Sequence, residues 1–186
     1  MEIFASGPSI KRGTFTGNLA RLNSLDIARR RFMPGMLFKA DEKWWDTGRR
    51  SRGHNGLDLR FYETGSGEIV KALSEETKIP LVLTGTIIKI TPDFIGHSIF
   101  AEHANPAPGR RLFTIYGHMV PDRGIQGRLL EAGCAIGRLA PSKGAVPAHL
   151  HISIALVPGD VPLESLNWET LDKTEGVLFS DPEEVI

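Results

Sequence analysis

The stretch PAHLHISI, residues 147–154, alternates polar with apolar side chains. On a β-strand this period of two places His149 and His151 on one face and the aliphatic residues on the other. Two imidazoles whose backbones lie roughly 7 Å apart can both reach one metal ion, or one can bind the ion while the other carries a proton. The spacing leaves both possibilities open, beside a third in which both histidines lie on an ordinary sheet surface, but it predicts a strand.

Outward from this stretch, the chain contains further short apolar runs bounded by Gly, Pro and Asp. Their lengths are typical of strands and their spacing is typical of hairpins, and no long helical pattern separates them. This favours an antiparallel arrangement over a parallel α/β sheet, so we predict a mainly β fold. The predicted strand regions are Gly56–Phe61, Ile79–Ile90, Ser98–His103, Leu112–Met119, Cys134–Leu139 and His149–Val157.

The two ends of the chain carry helical patterns instead. Apolar residues recur at near-helical spacing from Ser9 to Phe32, where Met33-Pro34-Gly35 ends the pattern, so one amphipathic N-terminal helix is predicted. A short C-terminal helix is predicted near Leu163 to Leu171, with Trp168 as its packing anchor. The predicted organisation is a helical extension at residues 1–35, one β domain at 36–160, and an acidic tail at 161–186 that packs on the domain.

Length and composition exclude several classes of function. A chain of 186 residues with 41% hydrophobic side chains can build a core without disulfides or a structural metal, so a metal ion would be functional. Lys+Arg and Asp+Glu both total 22, and this balance gives no reason to expect nucleic acid or a membrane surface as a partner. Cys134 is the only cysteine, which excludes an intramolecular disulfide, and its apolar neighbours predict a core position.

A histidine and an aspartate stand four residues apart in His54-Asn55-Gly56-Leu57-Asp58. Glycines disfavour a helix here, and on a straight strand the two side chains would lie roughly 13 Å apart, too far to share an ion. A bend at glycine would let a loop histidine and a strand aspartate converge. Another histidine, His118, lies near the end of the β-prone run FTIYGHM at 113–119. Each signal is weak alone, but the chain has no competing catalytic set.

Together and in this order, the motifs resemble those of the lysostaphin-type (LytM-like) zinc metallopeptidases, which cleave peptides of bacterial cell walls. His54 to Asp58 resembles the family's His-x-x-x-Asp, Tyr116-Gly117-His118-Met119 its Tyr-x-His-Leu, and His149-Leu150-His151 its His-x-His. The resemblance covers residues 36–157 and departs at Met119, where the family usually has Leu. It implies an antiparallel β-sheet sandwich of the duplicated hybrid motif type, with a groove for an extended peptide.

The resemblance also implies roles for five residues. His54, Asp58 and His151 would bind one zinc ion per chain, and His118 and His149 would be the catalytic histidines. Two imidazoles and one carboxylate leave a fourth zinc position for water, as in catalytic zinc sites. His149 is the first choice for the base and His118 for the partner of the oxyanion, and the reverse assignment stays open. The implied activity is zinc-dependent hydrolysis of peptide bonds in peptidoglycan stem or cross-bridge peptides. We expect the protein to act as a monomer.

Two other functions stay open from the sequence. One is a non-catalytic scaffold or activator of cell-wall hydrolysis on the same fold, and the other is a phosphocarrier with facing histidines, which gives no reason for Asp58. The resemblance implies a periplasmic or extracellular place of action. The first residues nevertheless lack the basic-then-apolar pattern of a secretory signal, and no apolar stretch has the length of a membrane span.

Three features lie outside the motifs. The loop Ala104–Arg111 resembles an insertion near the site, where it would shape substrate choice. Trp44-Trp45 is either a stacking surface for sugar or peptide or packing under the groove rim. His97 and His103 match no motif, and we expect His103 to be structural.

Overall fold

The computed structural model describes residues 14–65, 69–104 and 107–186. It contains a three-stranded and a nine-stranded sheet, and the strands of both pair antiparallel throughout these residues. The predicted mainly β, antiparallel fold is therefore confirmed. Within the same ranges, no helix has both the length and the apolar character that crossing a bilayer requires.

The helices of the described ranges are α1 (Thr14–Asn23) and α2 (Trp168–Lys173), with single 3-10 turns at Pro34–Met36, Leu163–Ser165 and Pro182–Glu184. The strands are β1 (Arg29–Arg31), β2 (Leu57–Leu59), β3 (Phe61–Glu63), β4 (Val70–Ala72), β5 (Lys78–Pro80), β6 (Gly85–Pro92), β7 (His97–His103), β8 (Arg110–Pro121), β9 (Leu129–Leu130), β10 (Ala135–Leu139), β11 (Leu150–Pro158) and β12 (Leu178–Ser180). Strands β1, β3 and β4 form the small sheet, and the others form the large one.

Strand β11 brings the predicted motifs together. It pairs with β8 along most of its length and with β2 at its start. In these registers His151 lies opposite Gly117 on one side and opposite Asp58 on the other. Backbone pairing thus places the His-x-His stretch between the other two motifs.

The large sheet separates two hydrophobic clusters. The aliphatic residues at 150, 152 and 154 of β11 belong to the larger cluster, which also contains Phe15 and Leu19 of α1. Ala155 and Val157 of the same strand belong to the smaller cluster, together with residues of the C-terminal segment. By the two-residue period of a strand, His151 shares the face of this smaller cluster. The C-terminal segment therefore lies on the same side of the sheet as the paired histidines.

The N-terminal helix is shorter than the prediction of Ser9 to Phe32. It ends at Asn23, Ser24 has a φ of +52°, and the chain continues into β1, while residues 9–13 lie outside the described ranges. The reason is strand pairing, because β1 aligns with β3 and two of its arginines form ion pairs with Glu63. Leu25 and Ile27 lie beyond the end of α1 but still pack against the larger hydrophobic cluster. This burial explains why apolar residues continue in the sequence after the helix has ended.

The C-terminal segment completes the large sheet. The predicted helix near Leu163 to Leu171 consists of a 3-10 turn followed by α2, whose first turn is capped by the Asn167 side chain accepting a hydrogen bond from the Thr170 N–H at 2.8 Å. The chain then forms β12, an edge strand that pairs with β11. This segment is held to the sheet by backbone hydrogen bonds as well as by side chains.

Two smaller predictions are wrong. Cys134 is exposed rather than buried in the core, because it lies in the turn before β10, where its carbonyl accepts a hydrogen bond from the Leu81 N–H. The loop Ala104–Arg111, of which residues 105–106 lie outside the described ranges, is remote from the motifs. It joins β7 to β8 at the end where His103 pairs with Leu112, and His118 lies roughly 20 Å further along β8.

Candidate metal centre and groove

Gly56 allows the loop that carries His54 to reach the main sheet. A Cβ atom at this position would lie 2.4 Å from the carbonyl oxygen of Ile152 and 2.7 Å from Nε2 of His151. No side chain fits there, so the chain can approach β11 this closely only at a glycine. The backbone of His54 is held at 3.0 Å from the carbonyl of Ala40, to which it donates a hydrogen bond. The bend brings His54 next to Asp58.

Three side-chain atoms converge at this point. Nε2 of His54 lies 3.2 Å from Oδ1 of Asp58, and Nδ1 of His151 lies 2.9 Å from the same oxygen. The two nitrogens are 3.0 Å apart. Donor atoms about 2.0–2.1 Å from a tetrahedral ion lie roughly 3.3 Å from one another, close to the separations found here. The three residues form a group that could hold a metal ion.

The outer hydrogen bonds of the two imidazoles leave the inner nitrogens available as ligands. Nδ1 of His54 lies 3.0 Å from the carbonyl oxygen of Leu37, which can only accept, so this nitrogen carries the proton and Nε2 carries a lone pair. Nε2 of His151 lies 2.9 Å from the hydroxyl of Ser153. When Nδ1 is a metal ligand, the proton is on Nε2, and this hydroxyl can accept its hydrogen bond. Such outer partners are typical of histidines that bind metal ions.

The carboxylate of Asp58 is also held from outside. Its Oδ2 accepts hydrogen bonds from Nε1 of Trp44 at 2.9 Å and from Nη2 of Arg50 at 3.2 Å, which leaves Oδ1 facing the histidines. Burial would raise the pKa of Asp58, but the interactions with His151 and His54 more than offset it and hold the pKa well below its usual value. Asp58 is therefore ionised, as a metal ligand must be.

His149 lies beside this group with one ring nitrogen unpaired. Its Nδ1 donates to the carbonyl of Pro147 at 2.7 Å, so Nε2 carries the lone pair. Nε2 is buried, has no hydrogen-bond partner among the described residues, and lies 3.7 Å from Oδ1 of Asp58. Burial lowers the pKa of His149 to about 4 against the opposing charge of Asp58. Tryptophans 44 and 45 pack against the ring, with centroids 5.1 and 5.8 Å away.

His118 reaches the groove through an irregularity in β8. The register with β7 shifts between the pairs His97↔Met119 and Ile99↔Tyr116, so β8 has one residue more than its partner there. His118 has a φ of +64°, a left-handed conformation that is uncommon for a residue with a side chain. Bulges of this kind redirect side chains next to functional sites. The His118 ring lies 4.8 Å from that of His149, centroid to centroid.

All five histidine and aspartate positions predicted for the site line one open groove of about 1150 Å³. Its walls come from the loop around residues 43–55, the turn at Asp93 and Phe94, and the C-terminal segment including α2. Trp168 of α2 packs edge-on against His151 with centroids 5.2 Å apart, and Phe94 against His118 at 4.7 Å. The Trp44 indole serves as a hydrogen-bond donor to Asp58, a role that neither sequence interpretation included.

The remaining histidines lie outside the groove. His97 is exposed on β7. His103 is buried, with Nδ1 donating to the carbonyl of Thr84 at 3.0 Å and Nε2 lying 2.7 Å from the Thr114 hydroxyl, which agrees with the expected structural role. Asp93 and Phe94 are groove residues that the sequence analysis missed, and their only visible signal was an Asp-x-x-Gly turn between two strands.

Comparison with known proteins finds similarity in structure only. No protein-family model matches this sequence, and no curated protein sequence matches it significantly. The chain is similar to the catalytic domain of the antimicrobial peptidase lysostaphin from Staphylococcus simulans, with 16% identity, a TM-score of 0.44 and coverage of 66% of this chain and 80% of that one. It is also similar to a variant of the catalytic domain of the prophage-encoded M23 protein EnpA from Enterococcus faecalis, with 19% identity, a TM-score of 0.42 and coverage of 68% and 85%. Both similarities are to solved catalytic domains at low sequence identity.

Proposed function

We propose that this protein is a zinc-dependent endopeptidase of the lysostaphin type, which hydrolyses peptide bonds in peptidoglycan stem or cross-bridge peptides. The observation that carries the proposal is the convergence of Nε2 of His54, Oδ1 of Asp58 and Nδ1 of His151 to within 3.2 Å of one another. A structural role gives no reason to place the lone pair of His54 Nε2 3.2 Å from a carboxylate oxygen, because two buried acceptors repel each other unless a proton or a cation lies between them.

The donor set fits zinc better than the hard cations. Zn²⁺ favours imidazole nitrogen together with carboxylate oxygen, whereas Ca²⁺ and Mg²⁺ favour oxygen ligands. Three protein ligands are the number found in catalytic zinc sites, where a fourth position serves water or substrate. When bound, zinc would supply a Lewis acid that polarises the scissile carbonyl and lowers the pKa of a water molecule. In this proposal His54, Asp58 and His151 hold one ion per chain.

His118 and His149 are the proton-handling residues in this proposal. Nε2 of His149 carries a lone pair because Nδ1 donates to the Pro147 carbonyl, so this ring can accept a proton or a hydrogen bond in the groove. The His118 ring lies beside that of His149, at 4.8 Å between centroids, and its Nδ1 lies 3.3 Å from the carboxylate of Asp93. Two imidazoles at contact distance can divide the proton transfers of peptide hydrolysis between base and acid.

The groove suits an extended peptide. It is open to solvent, and the exposed ring of Phe94 and the Trp45 ring stand on its walls next to the two proton-handling histidines. Aromatic walls give contact area to a chain that lies across the site, and backbone groups of the peptide need only a few polar partners. We propose a single chain as the acting unit, since the ligand set and both histidines come from one chain.

Zinc analysis combined with digestion of cell-wall peptides tests the proposal. The protein is purified without a histidine tag, its zinc content is measured by mass spectrometry, and cross-linked muropeptides are digested and separated. We expect close to one zinc per chain, cleavage that a chelator abolishes and zinc restores, and loss of both in His151→Ala. The matched control is His97→Ala, which removes an exposed histidine outside the groove and is expected to keep both properties.

A folded protein that binds no zinc and cuts no wall peptide would contradict the proposal. Zinc binding without cleavage would instead favour the non-catalytic scaffold. In that case Asp58→Ala would abolish zinc binding yet preserve the protein's effect on a partner hydrolase, whereas an enzyme loses its activity with its metal. The products of cleavage, identified by mass, name the bond that is cut.

A further inference from the structure

The carboxylate of Asp93 makes five polar contacts, and only two of them are needed to close the turn in which Asp93 lies. Oδ1 accepts hydrogen bonds from the backbone N–H groups of Ile95 at 3.0 Å and Gly96 at 2.7 Å, which closes the turn between β6 and β7. Oδ2 points the other way, toward β8, and accepts a hydrogen bond from the backbone N–H of His118 at 2.8 Å. The Ser98 hydroxyl also donates to it, at 2.9 Å.

The fifth contact joins the same oxygen to the His118 ring. Nδ1 of His118 lies 3.3 Å from Oδ2 of Asp93, and this buried nitrogen forms no regular hydrogen bond with any described residue, Asp93 included. The separation is slightly longer than a well-formed N–H···O hydrogen bond, and such contacts often tighten only when substrate binds. The Asp93 side chain is 3% exposed. Burial would raise its pKa, but the interactions with His118 and the backbone more than offset this and lower the pKa below its usual value.

Trp168, in the C-terminal segment, helps to hold the Asp93 carboxylate in place through Ser98. Nε1 of Trp168 donates to the Ser98 hydroxyl at 2.8 Å, so that hydroxyl must direct its own proton to Asp93. Trp168 also packs against His151. The series Trp168, Ser98, Asp93 and His118 therefore connects α2 to the groove through hydrogen bonds of defined direction.

We propose that Asp93 is the positioning residue of His118: its Oδ2 keeps the proton of the neutral ring on Nδ1 and so leaves the lone pair of Nε2 for the reacting groups. The reacting groups meant here are those of the peptidase activity proposed above, on which this inference rests. A carboxylate next to Nδ1 favours the tautomer of a histidine that carries its proton on that nitrogen. His118 would then act as the base, the assignment that the sequence placed second.

A turn alone does not account for this arrangement. An asparagine can cap the Asp93 turn with its single oxygen, but its amide nitrogen would then face the His118 N–H and the Ser98 hydroxyl as a further donor. Two acceptor oxygens are needed because donors approach from two sides. His118 holds a left-handed backbone conformation, which is costly unless its surroundings support it, and the Asp93 carboxylate supports it by accepting the hydrogen bond of the His118 N–H.

Nitrogen NMR of the histidine rings tests the inference without relying on activity. The full chain is labelled with 15N-histidine, the His118 signals are assigned by their loss in His118→Gln, and long-range proton–nitrogen spectra at pH 8 report which ring nitrogen carries the proton. We expect the Nδ1–H form in the natural protein and a shift toward the Nε2–H form in Asp93→Asn. Asp122→Asn, the same exchange at an exposed carboxylate just after β8, is the control and is expected to leave the tautomer unchanged.

The same variants are compared in wall-peptide cleavage. In Asp93→Asn we expect kcat to fall about 10²–10⁴-fold, the usual size of a proton-transfer contribution, with KM little changed. An Nε2–H form of His118 in the natural protein would overturn the inference, and this measurement needs no variant to fold. If Asp93 controls the tautomer but the natural protein cleaves nothing, the positioning role stands and the peptidase proposal fails. A natural tautomer and natural kcat in folded Asp93→Asn would overturn the positioning role alone.

Discussion

Gly56→Ala is the substitution whose effect the geometry determines most directly. The added methyl would lie 2.4 Å from the carbonyl oxygen of Ile152 and 2.5 Å from the Ser153 hydroxyl. Ordinary contact begins at 3.4 Å, so the loop must withdraw from β11 by about 1 Å. The hydroxyl can rotate away, but the Ile152 carbonyl belongs to the backbone of a fully buried strand and cannot. The loop that carries His54 therefore moves, and the distance between His54 and His151 grows.

Two quantities should change together. Overpacking of this kind costs about 1–3 kcal/mol of the free energy of unfolding, and we expect the upper part of that range because the obstacle is backbone. For a chain of this length, 3 kcal/mol lowers the melting temperature by roughly 6–12 °C. Zinc affinity should fall as well, because a displacement of about 1 Å takes His54 beyond the Zn–N distance of about 2.0–2.1 Å, and we expect a loss of at least about 10–100-fold.

Thermal unfolding and zinc competition with a chromophoric chelator measure the two effects. Gly17→Ala is the matched control, since a Cβ in α1 meets no atom within 4 Å and alanine favours a helix by about 0.5–1 kcal/mol. We expect that control to keep its zinc affinity and to melt slightly higher. A Gly56→Ala protein with natural stability and natural zinc affinity would refute the account of how the loop and strand converge.

Three further predictions concern the same centre. Trp44→Phe removes one hydrogen bond to Asp58 and should weaken zinc binding about 10–100-fold in competition assays, whereas Trp45→Phe, which lacks that bond, should not. Asp58→Asn removes a ligand and leaves the Arg50 charge without a carboxylate, so zinc affinity should fall by more than about 100-fold, and equal affinity would exclude Asp58 as a ligand. In the metal-free protein His149 and His151 have a pKa lowered to about 4 by burial, against 6.5 in the unfolded chain. The unfolded chain therefore binds protons first as the pH falls, and the free energy of unfolding should decrease between about pH 6.5 and 4, by roughly 3 kcal/mol for each histidine. Urea unfolding of chelator-treated protein at pH 7 and 4.5 checks this, and equal stability would contradict it.

The strands and the paired histidines could be predicted because their signals are local. Polar and apolar side chains alternate over residues 147–154, and β11 begins within this stretch. The aliphatic residues at 150, 152 and 154 all lie on the face that packs into the larger cluster, as the two-residue period of a strand requires. The convergence of His54 with Asp58 could be anticipated only as a possibility. It depends on Gly56 meeting a strand that lies almost a hundred residues away in the sequence, and spacing alone does not report such an approach.

The residues that the sequence could not identify act across the fold. The sequence predicted Trp168 as a packing anchor and Trp44 as a stacking or packing residue. Each indole instead donates a hydrogen bond, Trp44 to Asp58 and Trp168 to Ser98, because the position of an indole N–H depends on which elements it lies between. Arg29–Arg31 lies in a segment with helical spacing of apolar residues, but it forms a strand because its backbone pairs with β3 and Glu63 forms an ion pair with Arg29. In both cases a partner distant in sequence outweighed local preference.

The two proton-handling histidines differ in what holds their outer nitrogen, and this difference argues for a division of labour. His149 donates to a neutral carbonyl in a buried place, so taking up a proton there gains little compensation and the ring favours the neutral state. His118 instead has the ionised carboxylate of Asp93 at 3.3 Å from its Nδ1, which favours a proton on Nδ1 and a free lone pair on Nε2. On the peptidase proposal, the Pro147 carbonyl therefore favours His149 as the ring that stays neutral, and the Asp93 carboxylate favours His118 as the base.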